Sequence, residues 1–425
     1  MTEDFLHYLW KHKLFYTNDL STTTGFPLKI ISQGVLNFDS GPDFSNSRIE
    51  IDELSWAGNV EIHLKSSDWF KHKHDTDRSY NNVILHVVYE DDTNVNRRSG
   101  EAIPVLELKG RFEDSMFDRY QEMMDSNRWI PCEKLIETVP RITFELWLER
   151  LLIERIEQKT DMIQTRLTQN HFDWEQSFYE SLASSFGLKV NAVAFELLAK
   201  SLPLTILQKH ANNLFQIEAL LFGQAGMLQK TFIDDYPNGL KKEYKFLSEK
   251  YSLSHIDDSL WNYLRLRPSS FATHRIAQFA MLIYKNSSLF STTVLSNSIQ
   301  DLFSIFQVDT SDYWHSHYLF DKEAKVKSHK LGATMVNLIV INTVIPYMFL
   351  YGKYYSKDSL VKKALDVNDL IPAEDNVVIR NFKALNINTS TAFRSQALLQ
   401  LKKKYCDQKK CLHCAIGNYL VKPKS

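Results

Sequence analysis

The sequence predicts an α/β module at its N-terminal end, followed by a large helical domain that a cysteine cluster closes at the C-terminus. Residues 1 to about 110 alternate short strand-like runs with turn signals, whereas nearly everything after Arg111 has helical periodicity and length. Three of the four cysteines lie within nine positions near the C-terminus. Because 425 residues exceed the size at which one hydrophobic core stops growing, we expect two domains, residues 1–128 and 129–425.

The α/β module begins with an amphipathic segment, Glu3 to Phe15, that predicts a helix. Short β-branched or alternating runs follow, with turn signals such as Ser-Gly-Pro between them. A helical or looped stretch, residues 68–82, separates the third run from the fourth. This order permits one mixed sheet with helices packed against it. The predicted strands are residues 28–36, 48–54, 58–64, 83–89 and 103–108.

The helical domain opens with a long amphipathic pattern from Ile142 to Thr168. One later segment, Leu331 to Gly352, carries no charge and is long enough to cross a bilayer. Asn342 and Pro346 are among the residues that interrupt it, which favours a buried, proline-kinked core helix and no membrane partner. The other predicted helices are residues 173–186, 191–201, 211–222, 268–286 and 391–404.

The composition limits the classes of partner and the setting. Hydrophobic residues make up 44% of the chain, which is enough for packed cores. Lys and Arg number 50 against 51 for Asp and Glu, so attraction to nucleic acid must be local. The first residues do not resemble a secretory signal, and four cysteines do not form a disulfide framework of a secreted domain. We therefore expect a cytoplasmic protein, and the oligomeric state does not follow from the sequence.

A polar group of residues stands out in the α/β module. Strict alternation in the strand predicted at residues 58–64 places Glu61, His63 and Lys65 on one face. Asp43 lies 18 residues before Glu61, just after a turn, and a hairpin at residues 57–59 would bring the two strands side by side. Two carboxylates beside a cation suit Mg²⁺ or Mn²⁺, which activates water for phosphodiester hydrolysis. Asp43 and Glu61 are the predicted ligands, and His63 or Lys65 the group that supports the attacking water.

This arrangement resembles the PD-(D/E)XK nuclease superfamily, whose pattern is Pro-Asp followed, after a hairpin, by an acid, any residue and a lysine. Pro42 and Asp43 match the first half, and Glu61 matches the acid. His63 occupies the lysine position, and Lys65 lies one same-face step beyond it. The resemblance covers about residues 1–110 and implies a restriction-endonuclease-like sheet and metal-dependent cleavage of DNA or RNA. The alternative is a half-exposed strand whose polar face meets water.

Histidines near this group allow a second chemistry. His72 and His74 together with His63, His86 or a carboxylate could bind Zn²⁺ or Fe²⁺ in a His-rich enzyme. His86 interrupts an otherwise apolar strand, where a lone histidine is usually a satisfied core residue. For His72 and His74 the alternative is a solvated loop.

The cysteines predict a second metal site. Cys406, Cys411 and Cys414 have the spacing C-x₄-C-x₂-C, and Cys132 is the only other cysteine. Four thiolates suit Zn²⁺ or a 4Fe-4S cluster. The separation resembles that of iron–sulfur nucleases of the helicase-associated and CRISPR-associated kinds, in which such a site staples the fold. The alternative is that the thiols pack as small apolar side chains. Lysines surround the triplet and offer a basic patch for nucleic acid.

Stretches along nearly the whole chain, among them GPDFSNSRIEIDEL, RPSSFATHRIAQFA and YCDQKKCLHCAIG, resemble the bacterial family catalogued as domain of unknown function 2851. That resemblance implies an architecture and a bacterial cytoplasmic setting, but no reaction. The function hypotheses are therefore a metal-dependent nuclease, a non-catalytic nucleic-acid-binding or scaffold protein with a degenerate nuclease-like module, and a His-rich Zn²⁺ or Fe²⁺ enzyme.

Overall fold

A computed structural model describes residues 1–37, 39–296, 298–326 and 328–423. The chain divides into two compact units. Unit 1 comprises Met1–Leu148 and Gln400–Ser425, and unit 2 comprises Glu149–Leu399. The predicted boundary after residue 128 separates two domains that would each fold independently. Compactness alone does not test independent folding, so this boundary stays a prediction.

Strands are concentrated in unit 1, where six of them form one mixed sheet of order β1-β3-β4-β5-β6, with β2 paired to β3. β1, β3 and β4 form an antiparallel meander, and β5 and β6 continue the sheet in parallel. The predicted mixed sheet is confirmed. The strands are β1 (Leu28–Ser32), β2 (Val35–Leu36), β3 (Phe44–Ile51), β4 (Leu54–Lys65), β5 (Val83–Glu90) and β6 (Val105–Glu107), with β7 (His317–Leu319) and β8 (Lys322–Glu323) as a ribbon in unit 2.

Helices make up most of the remaining chain, as predicted, and short 3-10 or π turns join several of them. The helices are α1 (Glu3–His12), α2 (Asp68–Lys71), α3 (Asp114–Asp125), α4 (Arg141–Gln169), α5 (Trp174–Phe186), α6 (Leu188–Ser201), α7 (Leu204–Gln208), α8 (Leu214–Gln224), α9 (Asp235–Tyr251), α10 (Ala272–Lys285), α11 (Leu289–Val294), α12 (Ile299–Ile305), α13 (Ala333–Ile339), α14 (Ile345–Tyr354), α15 (Asp358–Leu370), α16 (Val377–Ala384), α17 (Ala392–Leu401) and α18 (Ala415–Val421).

The hairpin between β3 and β4 turns at Asp52 and Glu53, so the predicted turn at residues 57–59 is wrong. Asp52 and Glu53 have φ of 48° and 66°, the left-handed backbone that a tight hairpin requires. Gly58 lies inside β4 instead, where an added Cβ would come within 2.5 Å of the Ile84 side chain. The glycine therefore marks a close approach between β4 and the start of β5, and glycine is commonly found where two backbones come this close.

The crossover from β4 to β5 packs against these two strands and positions the candidate site. It contains α2 and a 3-10 turn, Arg78–Tyr80. Its aromatic side chains anchor it because they bury apolar surface against the strands, which is the main stabilising term in such packing. The buried cluster consists of Trp69, Tyr80, Val83, Val88, Val95, Ile103 and Val105.

The apolar segment of unit 2 forms a continuous helical run, Ala333–Tyr354, that is long and apolar enough to cross a membrane. Of its most apolar window, 72% is buried inside the protein, which is typical of a core helix. A π-helix, Val340–Val344, interrupts the run directly before Pro346. Because proline has no amide hydrogen to donate four residues back, to Asn342, the irregular turn precedes it.

Candidate metal centre

Asp43 and Glu61 lie side by side because β3 and β4 are paired with Phe44 opposite Val60. The Asp43 amide donates to Glu61 Oε2 at 3.1 Å, and the Ile62 amide donates to Asp43 Oδ2 at 2.9 Å. These two hydrogen bonds hold both carboxyl groups at the same place on the sheet. The predicted approach of Asp43 to Glu61 is therefore present in the structure, whereas their role as ligands stays a prediction.

The polar face of β4 is buried. Glu61 is 4% exposed and His63 is 2% exposed. A half-exposed strand face in contact with water would leave both side chains accessible. Because burial of an acid and an imidazole is costly unless they are paired or bind a metal, this face is built around an interaction rather than around solvent.

Three imidazoles converge beside Glu61. His63, His72 and His74 each present one ring nitrogen, and these atoms all lie within 4.8 Å of one another. His63 Nε2 is 3.0 Å from His72 Nδ1. Lys73 has φ of 62°, so the chain turns sharply after α2 and brings the histidines on either side of it to β4. His72 remains exposed and leaves the group open to solvent on one side, whereas His74 is buried.

Glu61 adds an oxygen to the three nitrogens. Its Oε1 is 3.2 Å from His74 Nε2 and 3.5 Å from His63 Nε2. His74 Nε2 is buried and has no hydrogen bond of good geometry. Ligands at about 2.0–2.1 Å around a tetrahedral Zn²⁺ lie about 3.3 Å apart, so the spacing of these atoms fits a shared ion. A set of three imidazole nitrogens and one carboxylate suits Zn²⁺, Fe²⁺ or Mn²⁺.

His86 holds the far side of His63. It is fully buried on β5, and its Nε2 is 2.9 Å from His63 Nδ1. If His63 Nδ1 donates to His86, the Nε2 of His63 is unprotonated and faces Glu61 and His72. Metal-ligating histidines usually have such a partner on their second nitrogen, which fixes the tautomer. The geometry therefore gives His86 an orienting place, outside the group of four donors.

Burial keeps His63 and His86 neutral. It lowers the pKa of His63 to about 3, with the neighbouring histidines adding to the effect, and it lowers the pKa of His86 to about 3 as well. Burial raises the pKa of Glu61, and the charge of Asp43 adds to this while His74 opposes it. A bound cation would reverse the cost of charging Glu61 and would use the free lone pair of the neutral His63 ring.

His7 belongs to the same site, and sequence reasoning missed it. Its Nε2 lies 3.2 Å from Asp43 Oδ2. Burial lowers the pKa of His7, but hydrogen bonding and charge from Asp43 outweigh it, so the pKa is raised overall. His7 lies on α1, and only tertiary packing brings this helix against β4; no local pattern in the sequence marks the contact.

Lys65 lies apart from the two carboxylates. It ends β4 and is exposed. Its charge acts on Asp92 instead. Slight desolvation raises the pKa of Asp92, but hydrogen bonds from Ser67 and Ser66 and the charge of Lys65 hold that pKa below its usual value. Among the described residues, Lys65 forms no ion pair with Asp43 or Glu61. The strand leaves the buried region between His63 and Lys65, so the two alternate residues have different surroundings.

The four cysteines line one cavity in unit 1. Cys132 follows α3, and the other three lie near the C-terminal end. Burial raises the pKa of Cys132 and Cys411 to about 12, and repulsion from neighbouring thiolates adds to it. Every pair among the four interacts in this way. The structure thus brings together the cysteines that the sequence grouped, Cys132, Cys406, Cys411 and Cys414, and their role stays a prediction.

Close packing holds the cysteine segment. Cys411 begins a 3-10 turn, Cys411–His413, and Cys414 precedes α18. Backbone amides of Gly417 and Ile416 donate to the Cys414 sulfur. An added Cβ on Gly417 would lie 2.2 Å from the carbonyl oxygen of Cys411, so only glycine allows α18 to pack this closely.

The lysines near the triplet are partly engaged within the unit. Lys402 pairs with Asp407 and lies over the Trp129 ring. Lys409 donates to the backbone carbonyl of Met124. These contacts reduce the charge that the predicted basic patch offers to a phosphate backbone.

A family model described as "Protein of unknown function (DUF2851)" matches residues 3–377. The chain belongs to this family. The match includes α1, the sheet, the histidine group and Cys132, and it ends before the cysteine triplet. No curated protein and no solved structure matches the chain. Membership therefore confirms the expected family and assigns no reaction.

Proposed function

We propose that the protein is a metal-dependent hydrolase of phosphodiester bonds in nucleic acid, with the metal held by Glu61, His63, His72 and His74. The observation that carries the proposal is the convergence of His63, His72 and His74, whose ligand nitrogens lie within 4.8 Å of one another, with Glu61 Oε1 3.2 Å from His74 Nε2. This is the spacing of two atoms that share an ion. We name these four residues the His/Glu site.

The donor set favours a divalent transition metal over Mg²⁺. Mg²⁺ prefers oxygen ligands, whereas imidazole suits Zn²⁺, Fe²⁺ and Mn²⁺. When bound, such an ion would polarise a phosphoryl oxygen and lower the pKa of a water molecule. Mg²⁺ or Mn²⁺ ligation by Asp43 and Glu61 alone is the competing arrangement, and the experiment below includes both ions.

The residues around the site divide the remaining tasks. Asp43 lies beside Glu61 and is held by the Ile62 amide, so it can orient a water molecule next to the ion. His7 fixes Asp43 from the other side. Substrate would enter where His72 is exposed. Lys73 and Arg78, both exposed on the same crossover, supply positive charge for a phosphate backbone.

A restriction-endonuclease-like arrangement of unit 1 is part of the proposal. It is supported by the order of elements: a helix, an antiparallel meander, a crossover, and a strand parallel to the last strand of the meander. It is also supported by the place of Asp43 and Glu61 on adjacent strands. His63 stands where that superfamily has its lysine.

The test compares cleavage and metal binding by the wild type with those of Glu61→Gln and His74→Ala. Single- and double-stranded DNA and RNA are incubated with Mn²⁺, Zn²⁺, Fe²⁺ under anaerobic conditions, or Mg²⁺. Both variants should lose metal affinity and cleavage together, because each removes one ligand of a shared ion. Glu50→Gln on β3 and His12→Ala on α1 are matched controls outside the site and should behave like the wild type.

Cleavage by both variants at the wild-type rate would overturn the assignment of the His/Glu site. A wild-type protein that cleaves none of the four substrates with any of these ions would overturn the nuclease function. The second candidate would then apply, namely a non-catalytic nucleic-acid-binding or scaffold protein. The exposed position of Lys65, which leaves the module without its lysine, favours that candidate.

We also propose that the four cysteines hold a structural Zn²⁺ ion or a 4Fe-4S cluster. Support comes from their shared cavity and from the mutual repulsion that a bound cation would remove. A structural site of this kind contributes its binding free energy to folding. Such a site would tie the C-terminal segment to the segment after α3 within unit 1.

A further inference from the structure

A second group of metal-ligating side chains lies within unit 2. Asp309, His315 and His329 present ligand atoms that all lie within 4.8 Å of one another. Asp309 Oδ1 is 3.4 Å from His315 Nε2, and Asp309 Oδ2 is 3.4 Å from His329 Nε2. The two imidazole rings stack with centroids 4.0 Å apart. One carboxylate thus faces two imidazole nitrogens at once.

An independent observation concerns His274 on α10. This side chain is 0% exposed, and neither of its ring nitrogens has a hydrogen-bond partner. His329, Asp309 and His315 all act on it electrostatically. A buried histidine whose ring nitrogens have no partner calls for an explanation, and an ion shared with Asp309, His315 and His329 would supply one.

We propose that Asp309, His315 and His329, with His274, bind a divalent transition-metal ion. Two imidazoles and one carboxylate are the donor set of Zn²⁺ and Fe²⁺ sites, and a third imidazole strengthens that preference. Mg²⁺ and Ca²⁺, which take oxygen ligands, fit it poorly. This inference is independent of the proposed function, because it uses other residues and requires no nuclease activity.

The surrounding hydrogen bonds support the geometry. Gln278 on α10 donates to the His329 backbone carbonyl at 3.2 Å, and Arg275 donates to the Gln278 side chain at 2.9 Å. The helix that carries His274 therefore also holds the segment that carries His329. The Thr310 amide donates to Asp309 Oδ1 at 2.8 Å and fixes the carboxylate. Such outer partners orient ligands in metal sites.

Metal binding requires a change at His315. Its Nε2 lies 3.2 Å from the Thr310 carbonyl oxygen, which it can reach only as a proton donor. To bind an ion through Nε2, the ring must carry its proton on Nδ1 and give up that hydrogen bond. The side chains of His315, Asp309 and His329 are 38%, 33% and 35% exposed, so an ion can enter from solvent and keep a position for water.

The ion would connect three separate segments of unit 2. His274 lies at the start of α10. Asp309 lies just before the 3-10 turn Asp312–His315, and His315 ends that turn. His329 lies between β8 and α13. Because an ion that binds only the folded state stabilises it by mass action, metal should raise the melting temperature of the full chain. It should also protect these segments from proteolysis.

The experiment counts zinc ions on the full chain. The protein is stripped with a chelator and dialysed to equilibrium against buffered free Zn²⁺, and bound metal is measured by elemental analysis. We compare the wild type with the double variant His315→Ala, His329→Ala and with the control His255→Ala, an exposed histidine of the same unit. The double variant should bind one equivalent fewer. The control should match the wild type.

His274→Leu tests the buried ligand. No hydrogen bond is lost in this variant, so the fold should survive, whereas Zn²⁺ affinity at this site should fall by at least the roughly 10–100-fold that loss of an outer partner costs. Unchanged affinity would overturn the place of His274 among the ligands. Equal zinc content and affinity in the double variant and the wild type would overturn the site itself.

Failure here and failure of the proposed function are distinguishable. Glu61→Gln with His74→Ala should remove the equivalent held at the His/Glu site and leave those at the four cysteines and at Asp309. The double variant in unit 2 should do the reverse. Loss of the same equivalent by His255→Ala would indicate nonspecific binding by surface histidines and would contradict the proposal.

Discussion

His63 and Lys65 lie two residues apart on β4, which places them on the same face, and yet the structure gives them opposite surroundings. His63 is buried among imidazoles, and Lys65 is exposed at the strand end. If the His/Glu site performs hydrolysis, His63→Ala should reduce the rate by on the order of a hundredfold or more, because it removes a positioned group. Lys65→Ala should lose little. Single-turnover rates on the best substrate provide the measurement.

The unfolding midpoints of both variants serve as the control for this comparison, since His63 is buried. A large loss of rate in Lys65→Ala with a native midpoint would show that this lysine reaches the substrate. That result would contradict the assignment and restore the lysine of the PD-(D/E)XK pattern, displaced by two residues.

Glu218 on α8 predicts a pH dependence in unit 2. It is 1% exposed, and Ser311 donates to its Oε1 at 2.7 Å. Burial raises its pKa to about 7 from an ordinary value of 4.5, although hydrogen bonds from Ser311 and Tyr236 oppose this. Because the folded-state value is the higher one, the contribution of this acid to stability is fully present below pH 4.5. It is lost as pH rises through about 7.

Glu218→Gln should therefore match the wild type at pH 4.5 and be more stable at pH 8, by up to about 3 kcal/mol. Denaturant unfolding of the full chain at both pH values measures the difference. Glu249→Gln, an exposed acid on α9, is the matched control. The same pH slope in wild type and Glu218→Gln would contradict the account.

Sequence reasoning reached Asp43 and Glu61 because alternation along a strand is local and because adjacent strands of a meander pair. It also identified His72 and His74 as a group. It did not reach His7, and it left open whether His63, His86 or a carboxylate completes the group, since these contacts depend on packing between separate elements. The alternative of a polar face in contact with water stays open from the sequence, because alternation does not reveal what covers a strand face.

At the scale of elements, Gly417 predicts how the cysteine segment is held. Gly417→Ala would place a methyl group against the Cys411 backbone, so either α18 or the 3-10 turn Cys411–His413 must shift. Overpacking of this kind costs about 1–3 kcal/mol. We expect reduced occupancy of the four-cysteine site and a lower melting temperature. Gly332→Ala, where no atom lies within 4 Å, should be neutral.

The measurement is elemental and visible-absorption analysis of anaerobically purified protein. Iron and sulfide with a visible absorption band would identify a cluster, and zinc alone would identify a single ion. Replacement of Cys132 by Ser should release the metal and lower stability, because binding energy at a structural site is folding energy. Protein with neither iron nor zinc on these thiols would show that they pack as small apolar side chains.

The elements themselves were largely predictable. Long amphipathic patterns, as in α4, and β-branched runs, as in β5, were placed within a few residues. The turn between β3 and β4 was not, since Asp52 and Glu53 are an unusual hairpin pair while Gly58 carries the stronger turn signal. Several helices without a long apolar stripe, α15 among them, were missed because tertiary packing stabilises them more than their own pattern does.

At the scale of the whole molecule, the chain returns from unit 2 to complete unit 1. Residues 400–425 belong with residues 1–148, so the first and last parts of the chain form one compact unit. The sequence indicated this return only through its cysteines, because a shared metal site would bring Cys132 to the triplet Cys406, Cys411 and Cys414. Composition and periodicity contain no information on which segments pack together when they are hundreds of residues apart.

The proposed function depends on a metal ion at the His/Glu site. The most direct measurement is anomalous scattering from crystals of the full chain grown with Mn²⁺ or Zn²⁺, recorded at the edge of the added metal. We predict a peak within about 2.0–2.2 Å of Glu61 Oε1, His63 Nε2 and His74 Nε2, with His72 nearby. The peak should be absent in crystals of Glu61→Gln. Ordered density for these four side chains with no anomalous peak between them, at saturating metal, would contradict the central claim.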